Sequence, residues 1–215
     1  MHSSPRIYHR TLFLPGPAGR LEASLWTSDV AEPKHAGLVC HPHPLFGGTL
    51  HNKVAFQAAK TLHNLGMPVL RFNFRGAGLS EGVHDRGRGE QDDVRSALDF
   101  LGAEFPRIPV VLAGFSFGSW VGLRVGAEDP RVTHFIGLGI PVNDSDFSYL
   151  RDCRKPKLFV VGGRDKYAAR ELVESVVASL AEPKRLVFVD DADHFFAGKL
   201  DQVDRAITEW WAAQS

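Results

Sequence analysis

Three side chains in this sequence, Ser116, Asp165 and His194, could together turn a hydroxyl into a nucleophile. A serine hydroxyl attacks poorly at neutral pH. It needs a base within hydrogen-bond reach, and that base needs a carboxylate to fix its tautomer and steady its charge. Ser116 stands in Gly114-Phe115-Ser116-Phe117-Gly118, where the apolar run from Val110 gives way to helix-compatible residues. A strand turning that abruptly into a helix strains the serine backbone and excludes side chains at 114 and 118. The turn also leaves the Phe117 amide at the helix N-terminus, where it can meet a developing oxyanion. Asp165 follows the run Leu158 to Val161 and the pair Gly162-Gly163, and His194 follows Leu186 to Val189. All three therefore fall just past strand ends, where open α/β sheets place their ligands.

Each residue also has a plainer reading. Asp165 is a good turn residue, and His194 would serve as a cap of the last helix or as a satisfied core histidine. Asp190, Asp191 and Asp193 lie too close in sequence to reach the His194 ring easily and are expected to solvate the loop or cap the next helix. Asp144 and Asp146 are the serious rivals for the carboxylate role, with Asp165 preferred. The stretch His41-Pro42-His43-Pro44-Leu45-Phe46-Gly47-Gly48 lets backbone pass close to a substrate. Pro42 and Pro44 lack an N–H, which leaves Leu45 or Phe46 as a second oxyanion donor, with Leu45 preferred. The spacing His41-x-His43 invites a metal reading, but no acidic or cysteine partner stands at a suitable offset. No metal or other cofactor is expected, and the two histidines should brace their loop. Gly76-Ala77-Gly78 resembles a dinucleotide fingerprint, yet Glu81 occupies the third glycine position. It reads instead as a turn held by Arg75 to Asp92 or Asp93. Phe117 and Phe195 flank the reactive positions as core packing or as an apolar acyl wall.

The elements that must position these residues follow from periodicity. Residues 6–14 and 20–27 read as an antiparallel pair joined by a Pro/Gly loop at 15–19. From residue 36 onward, short apolar strands alternate with amphipathic helices. Strands are expected at 36–40, 68–74, 109–114, 132–140, 157–161 and 185–189. Helices are expected at 53–65, 89–103, after Ser116, at 168–181 and at 197–213. That alternation predicts a mostly parallel eight-stranded sheet covered on both faces, a three-layer α/β fold in one domain spanning 1–215. Only about 16 residues separate the strands ending at 140 and starting at 157, too few for a lid domain.

With 215 residues, 44% hydrophobic, 23% charged and no formal net charge, the chain has an ordinary globular composition. No basic excess suits nucleic acid, and no apolar run suits a membrane or a signal peptide. The expected setting is cytoplasmic, with Cys40 and Cys153 as free thiols. The expected partner is a small-molecule ester, and a monomer and a homodimer are equally compatible with the chain.

Over its whole length the chain resembles the α/β-hydrolase superfamily. Four segments, HPHPLFGGTLHNKV from His41, RFNFRGAGLS from Arg71, GFSFGS from Gly114 and DHFF from Asp193, are similar to a compact, lid-less bacterial group of serine esterases near the dienelactone hydrolases. The resemblance implies a carboxylesterase with Ser116, Asp165 and His194 as its triad and a backbone oxyanion hole. Dienelactone hydrolases carry a cysteine where this chain has Ser116, and haloalkane dehalogenases and epoxide hydrolases carry an aspartate, so those activities are not implied. Thioester or peptide cleavage by the same triad, or a non-catalytic binding module, would fit the same residues.

Overall fold

A computed structural model describes residues 7–29 and 32–214; Arg6 of the expected first strand lies outside it. Eight strands form one sheet: β1 (Ile7–Gly16), β2 (Gly19–Ser28), β3 (Ala36–Cys40), β4 (Val69–Phe72), β5 (Val110–Phe115), β6 (Val132–Leu138), β7 (Lys157–Gly162) and β8 (Lys184–Val189). Their order is β1-β2-β4-β3-β5-β6-β7-β8. β1 pairs antiparallel with β2, and β2 antiparallel with β4, while every later pairing is parallel. The helices are α1 (Lys53–Asn64), α2 (Arg88–Glu104), α3 (Phe117–Glu128), α4 (Arg170–Ala178) and α5 (Leu200–Ala212).

Strand alternation assigns the two faces. Leu112 of β5 and Phe159 and Val161 of β7 face α2, α3 and α4, with Val94, Leu98, Val121 and Val173 above them. Val111, Ala113, Leu158 and Val160 face α1 and α5, against Ala58, Leu62, Val203 and Ile207. The central strands are buried throughout, so both helical layers are needed to keep them from water.

Several boundaries differ from those expected, β4 running only Val69–Phe72 and β6 ending at Leu138, and three of the differences have a clear local reason. The β1–β2 connection is a two-residue turn at Pro17-Ala18, because Gly19 adopts φ +117 and lets the strands pair up to Gly16. α4 is shorter because residues 179–183 leave the helix to satisfy a buried lysine: Lys157 Nζ donates to Ala181 O at 2.8 Å and to Cys153 O at 2.7 Å. α5 starts late because Asp193 Oδ1 accepts the Phe195 and Ala197 amides, both at 3.0 Å, and holds that segment in turns. Between β6 and β7, residues 139–156 carry only a single short helical turn, Ser148–Leu150.

Candidate active site

Ser116 sits at the tip of the β5–α3 turn with φ +53 and ψ −122, a conformation costly for any residue with a side chain. Its surroundings hold it there. Ser116 N donates to Leu138 O at 2.9 Å, and Ser116 O accepts Ser119 N at 2.8 Å and Ser119 Oγ at 2.6 Å. A Cβ at Gly114 would strike the Gly118 carbonyl, and one at Gly118 would strike the carbonyls of Cys40 and His41. Those contacts press the start of α3 against the chain leaving β3. As the first residue of α3, Phe117 has no intrahelical acceptor for its N–H, and none is found elsewhere among the described residues.

Asp165 and His194 meet because the turns after β7 and β8 are stacked. Arg164 N donates to Ala192 O at 2.9 Å, and a Cβ at Gly162 would run into the backbone of Ala192 and Asp193. His194 Nδ1 lies 2.7 Å from Asp165 Oδ2, with both side chains nearly dry at 6% and 0% exposure. The other oxygen, Oδ1, accepts the Tyr167 amide at 2.8 Å. A carboxylate accepting at Nδ1 places the ring proton there, leaving Nε2 as a lone pair with no acceptor or donor among the described residues. The imidazole lies against Phe115, with ring centroids 5.0 Å apart, and Tyr167, at 4.7 Å. It also rests on Gly139, whose φ is +50 and whose missing Cβ would come within 3.2 Å of the ring. The rival acids are engaged elsewhere or unbonded to the ring. Asp146 takes the Ser148 amide and hydroxyl, at 2.8 and 2.7 Å, and Asp144 makes no bond to His194.

Ser116, Phe117 and His194 line one cavity of about 420 Å³, whose walls include Phe46, Trp120, Tyr167 and Phe195. The loop after β3 forms another wall, and in it the amides expected to donate already have acceptors. Leu45 is exposed and its N–H donates to His43 Nδ1 at 3.2 Å, while the Phe46 N–H goes to His43 O at 3.1 Å. The N–H of His43 itself, set between two prolines, has no acceptor among the described residues, and His43 lines the cavity. The choice between Leu45 and Phe46 does not consider this amide, while their own amides are engaged in the turn.

His41 braces the loop from below. It is fully buried, its Nε2 accepts the Phe74 amide at 3.0 Å, and its Nδ1 contacts Pro42 O at 2.6 Å. Burial pushes its pKa down to about 4. The unfolded chain, with an ordinary imidazole near 6.5, therefore takes up the proton first as pH falls. Stability present above that value is expected to fall between pH 6.5 and 4, by about 2 kcal/mol from His41 at pH 5. His134, also pushed down to about 4 by burial, adds a loss of the same sign. Urea midpoints at pH 7 and pH 5 measure this, and equal midpoints would exclude it. His43 is lowered too, by burial and then by the neighbouring His84. Among the described residues no group of three or more His, Cys, Asp or Glu side chains could hold a metal ion. The Arg75 guanidinium grips Asp93, with Nη2 to Oδ1 at 2.7 Å, and Asp92 pairs with Arg95 instead.

The sheet order, the strained serine turn and the imidazole–carboxylate pair at the strand ends define an α/β hydrolase. An alpha/beta hydrolase domain family matches residues 46–206, and the chain belongs to that family. It is 35% identical over 215 residues to an uncharacterized protein of Rickettsia prowazekii, covering 96% of this chain and 88% of that one. Among solved structures it superposes on an alpha-beta serine hydrolase homologue from Coxiella burnetii with TM-score 0.86 and 35% identity, covering 91% of this chain and 94% of that one. It also superposes on a Xanthomonas campestris serine hydrolase described as having no lid, with TM-score 0.85 and 36% identity, covering 96% and 94%. The chain is thus an α/β hydrolase similar over nearly its whole length to compact, lid-less serine hydrolases of this fold. Among the described residues, no helix is long and apolar enough to cross a membrane.

Proposed function

We propose that this protein hydrolyses small carboxylic esters through an acyl-enzyme formed on Ser116. Ser116 Oγ attacks the carbonyl carbon while His194 Nε2 takes the hydroxyl proton. Collapse of the tetrahedral intermediate expels the alkoxide, which receives that proton from His194. Water, activated by the same imidazole, then attacks the acyl-serine, and the acid leaves with Ser116 restored. Asp165 holds the tautomer that makes Nε2 the base. The amides of Phe117 and His43 receive the oxyanion, replacing the expected pairing of Phe117 with Leu45.

The observation that carries this reading is the buried Asp165–His194 bond, which leaves Nε2 unpartnered on the wall of the cavity that also holds the strained Ser116. Aromatic walls suit an acyl group, and the β6–β7 connection, with one short turn, supplies no lid over a long tail. Activity on 4-nitrophenyl esters should therefore peak at acetate to butyrate and decline toward decanoate. A fluorophosphonate should add one equivalent of label on the peptide containing Ser116. Absence of both turnover and label would end the proposal, and a steady rise toward decanoate would end its short-chain part.

A further inference from the structure

The loop between β4 and α2 presents an arginine to the same cavity. Arg86 lines it, and its backbone sits at φ +52, which a residue with a Cβ adopts only under constraint. The constraint is a single buried carboxylate. Glu90, fully enclosed at the start of α2, accepts the Asp85 amide on Oε1 at 2.8 Å and the Gly87 amide on Oε2 at 2.7 Å. The two bonds bracket Arg86 on either side. Gly87 in turn has no room for a Cβ, because Trp120 fills that space.

The acids near Arg86 are occupied. Glu90 is taken by these amides, with His84 Nδ1 2.8 Å away; Asp85 accepts the Gly89 amide and faces Arg88; and Glu81 holds Arg20. Asp144, the one carboxylate on the cavity wall, forms no ion pair with Arg86. Among the described residues the Arg86 guanidinium thus has no anionic partner. A backbone held at positive φ by a buried group thus carries an exposed cation, without an anionic partner among the described residues, on the wall of the cavity that Ser116 also lines.

We propose that Arg86 selects esters bearing a carboxylate, which its planar fork binds while Ser116 reaches the ester carbonyl. This rests on the esterase reading and names the substrate class within it. Two matched pairs test it: 4-nitrophenyl hydrogen adipate against 4-nitrophenyl methyl adipate, with the charge on the acyl side, and 4-acetoxybenzoate against its methyl ester, with the charge on the leaving side. For each pair, the ratio of kcat/KM for the charged ester to that for the neutral ester is compared between wild type and Arg86→Gln. In at least one pair the ratio should fall about 10- to 100-fold in Arg86→Gln and be partly restored in Arg86→Lys. In wild type it should shrink with added salt. Ratios equal in wild type and Arg86→Gln for both pairs overturn the proposal while leaving esterase activity standing. No hydrolysis of any of the four esters overturns the esterase reading, and this inference with it.

Discussion

Replacing Ser116 by alanine is expected to reduce kcat/KM for short acyl esters by about 10⁴- to 10⁶-fold. Every covalent step passes through this one oxygen, and the oxyanion amides alone can return only a small part of the rate. The fold should not notice, because the hydroxyl makes no hydrogen bond among the described residues, while the contacts that fix the turn run through the backbone. Ser116→Gly separates function from stability further. A glycine at φ +53, ψ −122 escapes the penalty that serine and alanine both carry there, so this variant should be equally inactive yet more stable by about 1–2 kcal/mol. Paired activity assays and urea denaturation measure both effects. Activity within tenfold of wild type in the alanine variant would remove Ser116 from the mechanism.

The sheet and the residues of the candidate site could be read from the chain because both are written in short-range patterns. Apolar runs that end in Gly114-Phe115-Ser116 or Gly162-Gly163-Arg164-Asp165 announce a buried strand and the turn after it, and parallel strands bring such turns to one rim. What escaped the sequence depends on which backbone groups are already used. The Leu45 and Phe46 amides are used on the His43 ring and carbonyl, while the His43 amide has no acceptor among the described residues. Gly139 matters because the His194 ring rests on it, and it was absorbed into an expected strand that ends instead at Leu138. Glu90 falls in the helix expected at 89–103, yet it is buried and accepts the amides on either side of Arg86 in the preceding loop. A carboxylate that folds a neighbouring loop has no sequence period.

The second large effect is expected from Asp165→Asn, and the structure specifies its cause. In the parent, one carboxylate oxygen faces His194 Nδ1 and the other faces the Tyr167 N–H. An asparagine has one oxygen and one amino group for these two places. The Tyr167 amide can only donate, so it claims the oxygen, and the amino group is turned toward the ring. Nδ1 must then accept, the ring proton moves to Nε2, and the nitrogen proposed as the base becomes a donor unable to take the Ser116 hydroxyl proton. The substitution keeps shape and volume, so the melting temperature should change little while kcat falls about 10⁴-fold. Nitrogen chemical shifts of the His194 ring would report the tautomer directly, Nδ1–H in wild type and Nε2–H in the variant. Tyr167 is what makes this prediction sharp: without its amide the asparagine could rotate and present its oxygen to the ring. A variant that keeps the Nδ1–H form, or loses less than tenfold in kcat, would show that Asp165 does not set the base.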